Sequence, residues 1–114
     1  MASKWAEQVI TPAGFGQALQ APYHNEALAT VNDHEIRVSV MTGAFGWHRH
    51  PDSDESFLLI EGELIIEFDD GEVRLATGEL LTVPAGVRHR TRSGGARSVN
   101  LTFERRNAET VFDE

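Results

Sequence analysis

His24, His34, His48, His50 and His89 are the residues of this chain best suited to gripping a metal ion, and their spacing sorts them. His48 and His50 are separated by a single residue. On a strand such positions project from the same face, so both imidazoles can converge on one ion. After the turn signal Pro51-Asp52-Ser53, Glu55 opens a run in which Phe57 and Leu59 alternate. A strand returning antiparallel beside the first would aim the Glu55 carboxylate at the same point. His89 follows Pro84-Ala85-Gly86, a tight-turn sequence at the start of a further run. Three imidazoles with one carboxylate suit Fe(II), Mn(II), Co(II), Ni(II), Cu(II) or Zn(II), and suit Mg or Ca poorly. Around an octahedral ion, four protein ligands leave two adjacent positions open for water, dioxygen or a bidentate substrate. Taken singly, the members have blander readings. An HxH pair arises on strands by accident, Glu55 also reads as a solvated turn residue, and His89 as a loop flank. His24 and His34 have no supporting context and read as surface histidines.

The elements that must position these groups read as short strands. In HEIRVSVM, Ile36, Val38 and Val40 alternate with Arg37 and Ser39, the period of a half-buried strand. ESFLLIEGELIIEF reads as two strands joined near Gly62, and DDG before Glu72 is a hairpin signal. EVRLAT and ELLTVP flank a turn at Gly78, and SVNLTFE places Val99, Leu101 and Phe103 on one face. Turn residues recur at the spacing of an all-β sandwich or barrel. By alternation from Glu55, Phe57 and Leu59 face inward, and Trp47 faces away from His48 unless a bulge intervenes. Arg37, Asn100 and Thr102 are polar strand residues whose side the alternation does not decide. Residues 1–33, with Pro12, Gly14, Gly16 and Pro22, read as an arm with one or two short extended segments. The barrel spans 34–104, and the tail 105–114 reads as a helical turn or a peripheral strand.

Composition narrows the classes. The chain has 114 residues, one domain by size, with ordinary hydrophobic and charged fractions. A net charge of −8 repels phosphate backbones, which argues against nucleic acid as a partner. Arg88, Arg90, Arg92 and Arg97 read as a solvated face. The absence of cysteine removes disulfides, thiolate zinc sites, iron–sulfur clusters and thiol nucleophiles together. MASKWAEQVI lacks the apolar run of a secretory signal, and the longest apolar run, Phe57 to Ile60, is four residues. The expectation is a cytoplasmic protein without a membrane span.

Read as one string, GAFGWHRHPDSDESFLLIEG (Gly43 to Gly62) resembles the first signature of the cupin superfamily. Four residues precede His48, four separate His50 from Glu55, and six separate Glu55 from Gly62. GELLTVPAGVRHRTRS, from Gly78, resembles the second signature: five residues to Pro84, one to Gly86 and two to His89. The fifteen residues between Gly62 and Gly78 match the short spacing of small bacterial cupins. Two departures stand out. The stretch before HxH is one residue short, and Ser93 occupies a position where the family commonly has Asn. Neither supplies a ligand.

The resemblance implies an all-β fold, a double-stranded β-helix or jelly-roll barrel. It implies that His48, His50, Glu55 and His89 bind one divalent transition metal ion (Fe, Mn, Ni, Zn, Co or Cu). It further implies a small-molecule ligand in the barrel and a homodimer paired through sheet edges, with the N-terminal arm across the partner. The function expected is a metal-dependent enzyme of oxygenase, isomerase or lyase type acting on a small oxygen-rich molecule. Glu55 has a catalytic role open to it, leaving the ion transiently to act as a base. The alternative is a metal- or small-molecule-binding module without turnover. An isomerase should carry a further acid or base beyond Glu55, and the sequence assigns none.

Overall fold

The computed structural model describes residues 2–13, 15 and 22–113. The turn signals at Gly14 and Gly16 lie outside them. Among the described residues, a short 3-10 helix, Lys4–Gln8, precedes ten strands. These are β1 (Tyr23–Val31), β2 (His34–Met41), β3 (Ala44–Arg49), β4 (Glu55–Glu61), β5 (Glu63–Phe68), β6 (Gly71–Ala76), β7 (Leu80–Val83), β8 (His89–Ser93), β9 (Ser98–Arg105) and β10 (Val111–Phe112). They form two antiparallel sheets, ordered β1-β2-β9-β4-β7 and β10-β3-β8-β5-β6. The architecture is all-β, as the strand pattern indicated, and is the jelly-roll barrel that the cupin resemblance implied. No described helix is long and apolar enough to cross a membrane.

Strand limits follow the sequence signals closely. HEIRVSVM is β2, and Gly62 separates β4 from β5. Within the stretch read as an arm with one or two short extended segments, β1 is a nine-residue strand that joins β2 across the Asn32-Asp33 turn. The tail contributes β10, a peripheral strand paired with β3.

The faces of β2 and β9 explain how the barrel acquires a polar interior. Val38, Val40 and Val99 are buried in a cluster with Phe15, Leu28, Ile60 and Leu101. The alternate residues Arg37, Ser39, Asn100 and Thr102 line the cavity inside the barrel. The apolar set of these two strands therefore packs on the outer side of its sheet. The opposite assignment holds for β4 and β5. Phe57 and Leu59, as the alternation indicated, join Met41, Leu64, Ile66, Leu75 and Val83 in the barrel's own core. Each such side chain contributes about 1.5–3 kcal/mol on burial. One end of the barrel is thus sealed by hydrocarbon, and the other is left open and polar.

Gly62 sits at φ +83°, where a Cβ would run into the backbone of Arg97 and Ser98. Gly78 has a similar φ of +87° with open space around it. Gly62→Ala is therefore expected to cost roughly 3 kcal/mol in chemical denaturation, from strain plus collision. Gly78→Ala, carrying strain alone, should cost roughly 1 kcal/mol. Equal losses would contradict the close approach at Gly62.

Candidate metal centre

His48, His50, Glu55 and His89 are all buried, and one donor atom from each lies within 4.8 Å of the others. His48 is near the end of β3, and its Cα partner in the ladder is His89, the first residue of β8. His50 follows β3 directly. Glu55 opens β4, which lies in the facing sheet rather than beside β3. The expectation of a strand returning beside the first is therefore corrected: Pro51 to Asp54 carry the chain from one sheet to the other, and Glu55 reaches the histidines across the barrel. A register shift between Phe45 and His48 is the bulge that sets β3's faces. It turns both Phe45 and His48 to the cavity, their rings edge to face at 4.9 Å. Trp47 points elsewhere, with the guanidinium groups of Arg88 and Arg90 over its ring at 4.1 and 4.7 Å.

Backbone carbonyls orient all three rings. His48 Nδ1 donates to Gly46 O at 2.8 Å, His89 Nδ1 to Val87 O at 2.9 Å, and His50 Nδ1 to Glu109 O at 3.0 Å. With the proton held on Nδ1, each neutral ring presents its Nε2 lone pair to the centre, the tautomer a metal requires. Glu55 Oε1 lies 3.2 Å from His89 Nε2 and 3.3 Å from His50 Nε2. The two signatures are tied together as well, since Gly86 N donates to His50 O at 2.9 Å. Three outward-anchored imidazoles and one carboxylate fit a divalent transition metal in both type and orientation.

The charges are tuned by neighbours. Burial disfavours ionised Glu55, yet the hydrogen bonds and charges of His50 and His89 outweigh it and hold its pKa at about 2. Burial likewise opposes a charged His50, but the hydrogen bond and charge of Glu55 raise its pKa to about 9. His48 is shifted the other way, chiefly by burial and then by the charge of His89. The metal-free centre is a His50–Glu55 ion pair beside a neutral His48.

A cavity of about 370 Å³ opens from the centre. Its floor on the β1–β2–β9–β4 sheet is a grid. Glu35, Glu104 and Glu55 are consecutive cross-strand partners, and Arg37 pairs with Thr102 in the row two residues along. Burial, followed by the charge of Glu55, raises the pKa of Glu104 to about 7, while His50 and Arg37 pull it down. Glu104 Oε2 is buried without a hydrogen-bond partner among the described residues and lies 4.0 Å from His50 Nε2. Phe112 of β10 and Thr110 close the cavity from the tail.

The structure thus brings together all four residues singled out by spacing, and places Arg37, Asn100 and Thr102 on the cavity wall. His34 is exposed and His24 half-buried, both away from the centre. Sequence reasoning missed Glu104, Glu35 and the tail. Glu104 was detectable in principle, since Asn100, Thr102 and Glu104 repeat at period two. The Glu109 contribution is a backbone carbonyl, for which no side-chain signal exists.

Without metal, the His50–Glu55 pair should imprint a pH window on stability. The raised pKa of His50 contributes stability that is complete below its ordinary value of 6.5 and is lost as pH rises through about 9. The lowered pKa of Glu55 contributes stability that is complete above 4.5 and is lost as pH falls toward about 2. The unfolding free-energy difference between chelator-treated wild type and Glu55→Gln should therefore peak between pH 4.5 and 6.5 and narrow on both sides. A difference that does not vary with pH would contradict the pairing.

Comparison with known proteins agrees with this geometry. The model of the Cupin domain family matches residues 30–103. YdbB of Bacillus subtilis (strain 168), an uncharacterized protein, is 50% identical over 91 residues, covering 79% of this chain and 80% of the relative. The tetracenomycin polyketide synthase protein TcmJ of Streptomyces glaucescens is 40% identical over 57 residues, half of this chain but only 38% of that protein's length. The crystal structure of a cupin-2 domain protein from Shewanella frigidimarina superposes with a TM-score of 0.81 at 28% identity, covering 90% of this chain and 99% of the other. With the barrel, both signatures and the family model in agreement over the same residues, this chain belongs to the cupin family.

Proposed function

We propose that the protein is a metal-dependent lyase or isomerase in which His48, His50, Glu55 and His89 hold one divalent transition metal ion facing a substrate cavity. The observation that carries this reading is the placement of Glu104. Its unpartnered Oε2 lies 4.0 Å from His50 Nε2, on the cavity side of the centre. This is the further acid or base that proton-transfer chemistry needs and that the sequence did not assign. A metal bound by the four residues supplies Lewis-acid polarisation of a substrate carbonyl.

The chain's own residues do the rest. Glu55, whose Oε1 lies 3.2 Å from His89 Nε2 and 3.3 Å from His50 Nε2, serves as ligand and leaves the proton-carrying role to Glu104. Glu104 Oε2 accepts the proton from the carbon beside the carbonyl; the C–H electron pair forms a C=C bond to the carbonyl carbon, and the carbonyl π pair moves onto its oxygen. In an isomerisation the proton returns to the former carbonyl carbon while the α-hydroxyl passes its own proton to the enolate oxygen and becomes the new carbonyl. In an elimination the carbonyl re-forms, the C=C pair shifts toward the β carbon, and the departing group leaves with its bonding pair and takes the proton. Tyr23, Phe45 and Phe112 narrow the cavity around the reacting atoms. Positioned proton transfer of this kind contributes about 10²–10⁴-fold.

Hydroxyacetone incubated anaerobically in D2O with protein loaded with Mn(II), Fe(II), Co(II), Ni(II) or Zn(II) tests the reading. Deuterium should enter beside the carbonyl with at least one of these ions. Glu104→Gln should slow the exchange about a hundredfold or more while bound metal is retained. In a parallel aerobic incubation, oxygen uptake that tracks substrate loss would replace this reading with an oxygenase. No exchange and no oxygen uptake with any ion would leave a binding module without turnover.

A further inference from the structure

The cavity wall beyond Glu104 contains polar atoms that the proton-transfer chemistry does not use. Thr102 is only 3% exposed, and its Oγ1 has no hydrogen-bond partner among the described residues. Asn100, 1% exposed, has only a 3.4 Å contact from Nδ2 to the Leu101 carbonyl. A buried hydroxyl or amide without a partner costs about 1–3 kcal/mol. Such groups are rare in native structures unless a ligand, ion or water completes them. Both residues project from β9 into the same cavity as the candidate metal centre. Arg37, the cross-strand partner of Thr102, is fixed by Asn25 Oδ1 on Nε and Glu35 Oε1 on Nη1, leaving Nη2 without a hydrogen bond among the described residues.

We infer that Asn100, Thr102 and Arg37 form a hydroxyl-recognising rail, and that the ligand is a neutral polyhydroxylated carbonyl compound. Its carbonyl end lies at the metal and its hydroxyl-bearing tail runs along β9. This deepens the metal-dependent reading above and rests on it. The charges of the wall choose between tails. Glu35, Glu55 and Glu104 face the cavity, and Glu35 already satisfies Arg37. A tail bearing a carboxylate would meet this acidic row and a guanidinium already paired. A hydroxyl instead donates to a carboxylate or to Thr102 Oγ1 and accepts from Arg37 Nη2 or Asn100 Nδ2. Hydrogen-bonding sites of this kind reject analogues lacking the hydroxyl because the wall groups are then left unpaired.

The test uses Co(II)-loaded protein and calorimetric titration with two pairs of compounds, each pair sharing one chelating end. D-Xylulose and hydroxyacetone share a hydroxyketone, while 2-oxoglutarate and pyruvate share a keto acid. Azide, followed through the visible Co(II) spectrum, reports the open metal positions independently of the rail. D-Xylulose should bind at least tenfold more tightly than hydroxyacetone, and 2-oxoglutarate no more tightly than pyruvate. Thr102→Val should weaken D-xylulose about fivefold to tenfold and Thr102→Ser should restore it, with azide binding unchanged. The melting temperature of Thr102→Val should hold or rise, because an unpartnered hydroxyl is removed. Equal affinity within the first pair, a gain from the carboxylate tail, or an unaffected Thr102→Val overturns the rail while leaving the metal centre standing. Failure to take up Co(II), or a spectrum indifferent to azide, overturns the metal reading and the rail with it.

Discussion

Everything at the polar end of this barrel depends on a requirement of buried hydrogen bonding. Three imidazoles buried side by side must each place a proton somewhere, and an imidazole with both nitrogens unsatisfied is costly. The Gly46, Val87 and Glu109 carbonyls take the Nδ1 protons. That leaves three Nε2 atoms and one Glu55 oxygen with each other as neighbours. The geometry of the rings is thus a consequence of backbone positions, and those are fixed by the β3 bulge, the Pro84–Gly86 turn and the docking of the tail on β3. Loss of any one frees a ring to rotate.

Strand alternation gave the faces but not which of them is the inside. For β4 the apolar set of Phe57 and Leu59 fills the barrel, and hydrophobicity and interior coincide. For β2 and β9 the apolar sets pack beneath Phe15 and Leu28 on the outer side, and the hydrophilic sets face inward. Period two is the same in both cases, so no local reading separates them. What separates them is which face of each strand the closed barrel turns inward, and that is a tertiary fact. The barrel can afford a polar interior at this end only because those strands bury their hydrocarbon elsewhere.

The centre was legible unevenly for a related reason. His48 and His50 lie one residue apart, so local geometry alone pairs them. Glu55 and His89 enter from other strands, and their membership was carried by the spacing of two signatures. The route to Glu55 was misjudged, because β4 belongs to the facing sheet. Glu104 had only one local mark, its period-two repeat with Asn100 and Thr102, and a glutamate near the end of a strand usually faces water. Its character comes from cross-strand register, which sets it between Glu35 and Glu55, and from its burial beside their like charge.

The cavity then follows from the same layout. A hydrocarbon plug closes one end, the histidine centre occupies the middle, and the β9 row lines the approach. The four-residue centre is the claim on which the functional reading stands, and metal stoichiometry tests it most directly. Wild type and the His48→Ala/His50→Ala double variant, each reconstituted anaerobically with Fe(II), Mn(II), Ni(II) or Zn(II) and desalted, are compared by elemental analysis alongside a fold check. The expected result is close to one tightly held ion per wild-type chain and almost none in a folded double variant. A wild type that never retains stoichiometric metal, or a double variant that retains as much, would contradict it.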